Sequence, residues 1–241
     1  MVRFLRNITP RLGSPERILV ISAHWEELKP MVTTGKQPAM IYDYAGFPEE
    51  TYQITYPAPG NPDFAEEIVT QIKNSGQTAW RHSQRGFDHG LYVPLMMMYP
   101  QAEIPCVQLS LMGSLDPENH INLGKALSAI RQENILVLGS GFSFHNMRAL
   151  LSPDESGADP RNDAFQDWLI ETCTTDIPEK KRQRRLMEWE TAPSAGYCHP
   201  REEHLLPLHV CYGMAQSKAE KVFDDKVMGK RSVAFLWSNP Q

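Results

Sequence analysis

The sequence has no hydrophobic run long enough to cross a membrane. A membrane-spanning helix needs about 20 consecutive apolar residues, and no segment of the 241 residues approaches that length. The first six residues, Met-Val-Arg-Phe-Leu-Arg, carry charge, but no apolar segment of the signal-peptide type follows them. The sequence therefore predicts a protein with no membrane partner.

Cysteine is scarce, and closely spaced cysteine pairs are missing. The four cysteines, Cys106, Cys173, Cys198 and Cys211, lie far apart and form no C-x-x-C motif. Cys106 also falls in a predicted buried strand. This pattern favours reduced cysteines in a cytoplasmic protein.

Neither the charge nor the glycine motifs indicate a nucleotide or a nucleic acid as partner. The net charge is −5, and a mildly acidic chain has no electrostatic attraction for phosphate backbones. The basic run Lys180–Arg185 is flanked by acidic residues, which favours a solvated helix face over a phosphate-binding patch. The sequence contains no Walker or dinucleotide-binding glycine fingerprint. The segment Gly139–Ser143 lacks the closing glycine of the hydrolase motif G-x-S-x-G.

Short apolar segments alternate with segments of helical periodicity. Strands are predicted at residues 18–21, 31–34, 104–111, 135–141 and 232–237, and helices at residues 61–76, 91–99, 118–132, 164–172, 178–190 and 205–215. This alternation predicts an α/β fold with a mostly parallel or mixed central sheet and helices on both faces. The length fits a single domain over residues 1–241.

Four of the eight histidines stand where a site is expected. His24 and His145 each follow a predicted buried strand, and α/β sheets bind ligands beyond the carboxyl ends of their strands. His89 lies in a turn bracketed by glycines, and His204 lies at the start of a predicted buried helix. Converging imidazoles suit Fe(II) or Zn(II) better than Mg or Ca. The alternative is that these are structural histidines that cap loops.

A zinc-peptidase motif is excluded by spacing. In H-E-x-x-H and H-x-x-E-H the two histidines lie one helical turn apart. His199 and His204 are five residues apart, and Pro200 occupies the position four before His204. At about 100° per residue, two such side chains would point about 140° apart on a helix.

Six short motifs occur together in the sequence. They are Ser22-Ala-His-Trp25, Tyr44-Ala-Gly-Phe-Pro48, Tyr56-Pro-Ala-Pro-Gly60, Gly86-Phe-Asp-His-Gly90, His145-Asn146 and Glu203-His-Leu-Leu-Pro-Leu208. In this order they resemble the class III extradiol ring-cleavage dioxygenases, and specifically the DOPA 4,5-dioxygenase-like branch. The resemblance covers essentially the whole chain.

The resemblance implies a chemistry and a set of site residues. It implies O2-dependent cleavage of a small catechol beside one hydroxyl, with Fe(II) in the active enzyme and often Zn(II) as isolated. His24 and His204 match metal ligands. His145 matches a histidine with acid–base work that is sometimes described as a ligand, and His89 matches one that contacts the substrate and oxygen. The aromatic loop, residues 42–56, would line the slot for the ring with Tyr44 and Phe47. We expect a monomer or a homodimer.

One departure from the family pattern concerns the metal. The family begins with a strand that ends in His-Gly-Ser-Pro and supplies another ligand, well upstream of the position of His24. Here only 23 residues precede His24, and Leu12-Gly-Ser-Pro15 has leucine in place of that histidine. The sequence thus predicts an N-terminally incomplete catalytic domain with an open strand edge. A shortened product, a misassigned gene start and a natural variant with weakened metal binding are all compatible with this pattern.

Two other functions remain open at this point. A metal-dependent hydrolase would use the same histidines to activate water and would need no O2. A metal-poor relative without catalytic activity would only bind aromatic compounds or a partner. The missing ligand favours this hypothesis.

We predict weak or partial metal occupancy, because each missing ligand lowers the affinity of a metal site steeply. Elemental analysis before and after dialysis measures the occupancy. Full stoichiometric metal that survives dialysis would contradict the prediction.

Overall fold

The computed structural model describes residues 1–151 and 158–238. The described part of the predicted domain, residues 1–241, forms two compact units. The sheet unit comprises residues 2–114 and 126–140, and the helical unit comprises residues 115–125 and the described residues from 141 onward. Within the described ranges, every helix is too short or too polar to cross a membrane.

The elements follow one another in a largely alternating order. The strands are β1 (Arg17–Glu27), β2 (Met31–Thr33), β3 (Trp80–His82), β4 (Cys106–Met112), β5 (Ile135–Ser140), β6 (Glu220–Val227) and β7 (Lys230–Leu236). The helices are α1 (Val2–Leu12), α2 (Pro62–Asn74), α3 (His89–Met98), α4 (Pro117–Ala126), α5 (Met147–Leu150), α6 (Pro160–Thr174), α7 (Glu179–Met187), α8 (Ala195–Cys198) and α9 (Leu206–Ala215). Short 3-10 helices cover Glu49–Gln53, Ser128–Gln132 and Trp189–Thr191.

The sheet unit contains a five-stranded sheet in the order β3-β2-β4-β1-β5. β1 pairs in parallel with β4 and with β5, and β2 pairs in parallel with β3. β2 and β4 pair in the antiparallel sense, with Val32 opposite Leu109. The sheet is therefore mixed and mostly parallel with flanking helices, and the predicted α/β class is confirmed.

Strand β1 differs from its sequence prediction at its carboxyl end. We expected it to stop at Ser22 and Ala23, but it continues to Glu27. Its pairing with β4 shifts register between Ser22 and Glu26. An irregularity of this kind bends a strand and redirects its side chains. His24 thus lies within an irregular part of the strand. The prediction placed it beyond the end of the strand.

Strand β5 is more exposed than predicted. Its apolar composition indicated a buried strand, but all six residues from Ile135 to Ser140 are only half-buried. Among the residues the structure describes, β5 pairs with β1 alone, which makes it an edge of the sheet. Apolar side chains indicate that the faces of a strand can pack against helices. They do not indicate whether a second strand pairs with its edge.

The helical unit packs its helices around an apolar core. The residues that form its centre are Ile121, Phe144, Phe165, Leu169, Leu186, Trp189, Leu205 and Tyr212. β6 and β7 form a two-stranded antiparallel sheet in this unit. The predicted strand at residues 232–237 corresponds to β7. β6 escaped prediction because it is mostly exposed and rich in charged side chains, and only Phe223 is buried.

Two glycines allow close contact between α4 and α9. A Cβ atom on Gly213 would lie 2.1 Å from the carbonyl oxygen of Ile121, and one on Gly124 would lie 2.1 Å from that of Val210. Both obstacles are backbone atoms, which cannot rotate away. The two helices therefore require glycine at both positions.

We predict that Gly213→Ala lowers the free energy of unfolding by about 3 kcal/mol, the upper end for overpacking, because the helix backbones must separate. Urea denaturation measures the change. Gly196→Ala in α8 is the matched control, since a Cβ there meets nothing within 4 Å. Equal stabilities for the two variants would contradict the prediction.

Candidate active site

A fully buried carboxylate, Asp88, organises the residues around His24 and His89. Its Oδ1 accepts hydrogen bonds from Ser22 Oγ at 2.8 Å and from the Gly90 amide at 3.1 Å. Its Oδ2 accepts from Gln108 Nε2 at 2.5 Å and from an Arg85 guanidinium nitrogen at 3.0 Å. Ser22 Oγ in turn accepts the amide N–H of His24 at 3.2 Å. Asp88 therefore links β1, β4 and the start of α3.

Helix α3 begins at His89 because Asp88 caps it. The Asp88 carboxylate satisfies the Gly90 amide, one of the amides without a partner inside the helix. We expected His89 in a turn between glycines, and the structure places it at the first position of this helix. Gly90 is required there because a Cβ would lie 2.5 Å from Ser22 Oγ and 3.0 Å from His24 Cδ2.

His24, Asp43 and His89 form the first residue group, which we call the Asp43 group. Their possible ligand atoms all lie within 4.8 Å of one another. Asp43 Oδ1 lies 2.8 Å from His89 Nδ1 and accepts the His89 amide at 3.0 Å. The rings of His24 and His89 have centroids 3.8 Å apart. Asp43 Oδ2 lies 3.8 Å from His24 Nδ1, which is too long for a hydrogen bond.

His145, Glu203 and His204 form the second residue group, the Glu203 group, which belongs to the helical unit. Their possible ligand atoms also lie within 4.8 Å of one another. Glu203 Oε1 lies 3.0 Å from His145 Nδ1. The rings of His145 and His204 stack with centroids 3.4 Å apart. Each group thus contains a close histidine pair and one carboxylate hydrogen-bonded to Nδ1 of one member.

Backbone contacts hold the Glu203 group in place. The His145 amide donates to the carbonyl of Cys198 at 2.9 Å. Asn146, which caps α5, donates its side-chain amide to the carbonyl of Tyr197 at 2.8 Å. The carbonyl of His204 accepts the Phe142 amide at 3.0 Å. The segments that carry His145 and His204 are therefore fixed by hydrogen bonds.

Both carboxylates are ionised near neutral pH. Partial burial raises the pKa of Asp43, but the hydrogen bonds from the side chain and backbone of His89 outweigh it and lower the pKa overall. Partial burial likewise raises the pKa of Glu203, but the hydrogen bond with His145, a hydrogen bond with the backbone of Glu203 and the electrostatic effects of His145 and Arg201 together outweigh it and lower the pKa overall. Arg201, whose guanidinium lies 3.5 Å from Glu203 Oε2, also favours the charged form.

The donor sets fit a transition-metal ion. Each group offers two imidazoles and one carboxylate at short separation, and this combination is typical of non-haem Fe(II) oxygenases and of Zn(II) sites. The predicted ligands are divided between the groups, with His24 in the Asp43 group and His204 in the Glu203 group. The structure brings His24 together with His89, and His145 together with His204.

The predicted substrate-binding residues lie in the aromatic loop. The ring of Tyr44 contacts the edge of the His89 ring, with centroids 5.5 Å apart, and packs against Phe47 at 5.4 Å. Tyr44 is fixed by a hydrogen bond of 2.6 Å from its hydroxyl to the carbonyl of Thr51. Phe47 is largely exposed. Tyr44 therefore adjoins the Asp43 group, and Phe47 adjoins Tyr44.

Sequence reasoning missed both carboxylates. Asp43 lies between two tyrosines, Tyr42 and Tyr44, and its position beside an aromatic lining was the only available signal. Glu203 immediately precedes His204, and adjacency to a predicted ligand could have identified it. His199, by contrast, is a buried structural histidine. Burial lowers its pKa to about 4, and its Nε2 lies 3.0 Å from the carbonyl of Ser143.

We predict that Gly90→Ala lowers the free energy of unfolding by about 1–3 kcal/mol and displaces the His24 ring, because the added Cβ overlaps Ser22 Oγ and crowds His24. Denaturant unfolding measures the first effect, and the imidazole chemical shifts of His24 measure the second. Gly113→Ala is the matched control, because its Cβ would lie 3.6 Å from the nearest atom. An unchanged His24 spectrum in Gly90→Ala would refute the prediction.

Comparison with known proteins identifies the family. Residues 2–236 match the family model of the catalytic LigB subunit of aromatic ring-opening dioxygenase. The chain is 40% identical to a 4,5-DOPA dioxygenase extradiol from Beta vulgaris, over 97% of this chain and 88% of that protein. It is 37% identical to the dioxygenase tasH from Hapsidospora irregularis, over 92% of this chain and 72% of that protein.

A solved structure agrees with these matches. The crystal structure of an uncharacterized protein from Escherichia coli K12 is similar to this chain with a TM-score of 0.80 and 28% identity. The similarity covers 96% of this chain and 89% of the other. The chain belongs to the LigB family of aromatic ring-opening dioxygenases and is an extradiol dioxygenase of the class III, DOPA 4,5-dioxygenase-like type.

Proposed function

We propose that this protein cleaves the ring of a small catechol with O2, outside the diol, and that it uses Fe(II) with His24 and His204 among the ligands. The observation that carries the proposal is the pairing of each predicted ligand with a second histidine that is hydrogen-bonded to a carboxylate. The second histidine of each pair is the residue for which the family resemblance implies a role toward the substrate. The family match supports the reaction type.

Two histidines handle the substrate in this proposal. His145 accepts the proton of a catechol hydroxyl near neutral pH as a general base. Glu203, 3.0 Å from Nδ1 of that ring, stabilises the positive charge that the imidazole then carries. His89 hydrogen-bonds the substrate or the oxygen. The metal, when bound, supplies the Lewis-acid and redox chemistry that lets O2 react with an aromatic ring.

The aromatic loop binds the catechol ring in this proposal. Tyr44 contacts the His89 ring and is surrounded by Tyr42, Tyr52 and Phe47, with ring centroids 5.3–6.3 Å from its own. Flat apolar walls beside a few polar groups are typical of sites for small aromatic molecules. The names of the relatives make L-DOPA the first substrate to test, and caffeate is a second catechol.

We expect the purified protein with Fe(II) and O2 to convert L-DOPA or caffeate to a yellow semialdehyde, and we expect no product without O2. His145→Gln should lower kcat about 10²- to 10⁴-fold, the usual contribution of general acid–base catalysis. Absorption spectroscopy of the product measures both effects. His82→Gln, on β3, is the matched control and should keep its activity.

The anaerobic reaction separates this proposal from a metal-dependent hydrolase, which needs no O2. A protein that yields no product with several catechols in the presence of Fe(II) and O2 would refute the proposed activity. The cytoplasmic location, the monomeric or homodimeric state and the single domain over residues 1–241 stay predictions.

A further inference from the structure

We infer that Asp43 and Glu203 are positioning residues that hold His89 and His145 in one tautomer, with the proton on Nδ1 and the lone pair on Nε2. The inference deepens the proposed function and rests on it, because it assigns the atom through which each histidine would act on the substrate. The hydrogen bonds of the two carboxylates, which act as acceptors, support this assignment.

The geometry around Asp43 fixes the donor and the acceptor. Asp43 Oδ1 accepts the backbone N–H of His89 at 3.0 Å, and this amide can only donate. The same oxygen lies 2.8 Å from His89 Nδ1. The ionised Asp43 carboxylate has no proton to donate, so this oxygen is also the acceptor toward the ring. The ring nitrogen therefore carries the proton, and Nε2 of neutral His89 has the lone pair.

The geometry around Glu203 leads to the same assignment for His145. Glu203 Oε1 lies 3.0 Å from His145 Nδ1, and the guanidinium of Arg201 lies 3.5 Å from the other oxygen. A carboxylate beside a guanidinium offers only acceptors. Glu203 is largely buried, with 13% of its side chain exposed, so little water competes for the hydrogen bond. Nδ1 of His145 is again the donor.

The two groups distribute the roles of their histidines in the same way. Each carboxylate makes its short hydrogen bond to the histidine predicted to work on the substrate, and His24, the predicted ligand beside Asp43, lies at the longer distance of 3.8 Å. A neutral ring with its lone pair on Nε2 accepts a proton there. The substrate O–H bond breaks, an Nε2–H bond forms, and the carboxylate stabilises the resulting imidazolium.

Nuclear magnetic resonance of the metal-free protein tests the inference. Long-range ¹H–¹⁵N correlation spectra of protein labelled with ¹⁵N-histidine distinguish the two tautomers at a pH where the imidazoles are neutral. We expect His89 and His145 in the Nδ1–H form. Asp43→Ala should shift His89 toward the Nε2–H form that histidine favours in water and leave His145 unchanged. Glu203→Ala should do the reverse.

Two further variants separate positioning from a merely structural role. In Asp43→Asn the side-chain oxygen can still accept both N–H groups of His89, so the Nδ1–H form should persist. Asp63→Ala, which removes a carboxylate from the first turn of α2, should change neither histidine. The wild-type spectrum tests the inference even if an alanine variant fails to fold. An Nε2–H form in the wild type, or an unchanged His89 in folded Asp43→Ala, would overturn it.

Kinetics provide a second readout that distinguishes the inference from the proposed function. With an active substrate, Asp43→Ala should lower kcat about 10- to 100-fold with little change in KM, as expected for the loss of a carboxylate that orients a site histidine. Asp43→Asn should recover part of that loss. If the protein shows the predicted tautomers but does not cleave the ring, only the proposed function is refuted. If it cleaves the ring but shows the opposite tautomers, only the inference is refuted.

Discussion

The candidate site in the sheet unit depends on the hydrogen bonds and the ion pair of the buried Asp88 carboxylate. A charged group without water is stable only if its oxygens are satisfied by hydrogen bonds and an opposite charge. Ser22, Gly90, Gln108 and Arg85 supply these contacts. Because the donors come from β1, β4, the start of α3 and the loop before it, their positions are fixed together. Removing any one of them would leave a buried charge incompletely paired.

This constraint explains why His24 and His89 meet although they are far apart in the sequence. Ser22 fixes the amide of His24, and Asp88 caps the helix that begins with His89. Gly90 leaves the space that the His24 ring occupies. In the helical unit, backbone hydrogen bonds to Cys198 and Phe142 take over this function for His145 and His204. In both units the scaffold fixes the histidines, and a carboxylate then orients one of them.

The sequence revealed the residues whose positions follow from local patterns. The helix predicted at residues 61–76 corresponds to α2, and the four candidate histidines were predicted from strand ends and short motifs. The partners of those histidines were not recognised, because Asp43 and His89 are 46 residues apart and Glu203 and His145 are 58 residues apart. Only the folded chain brings such residues together.

The errors about the strands have a related cause. The prediction ended β1 at the small residues Ser22 and Ala23, but the strand continues past them through a shift in register. The burial of β5 was overestimated because its apolar composition does not show that it lies at a sheet edge. β6 was missed because an exposed strand needs few apolar residues. Pairing between strands decides all three features, and it is a property of the whole fold.

The origin of the oxygen atoms in the product tests the central claim most directly, namely that this chain is a ring-opening dioxygenase. The reaction is run with a catechol under ¹⁸O2, and the aldehyde is trapped by reduction before its oxygen exchanges with water. Mass spectrometry then measures how many ¹⁸O atoms the product contains. The account predicts that both atoms of ¹⁸O2 enter the same product molecule. A ring-opened or hydrolysed product whose new oxygen comes from water would contradict it.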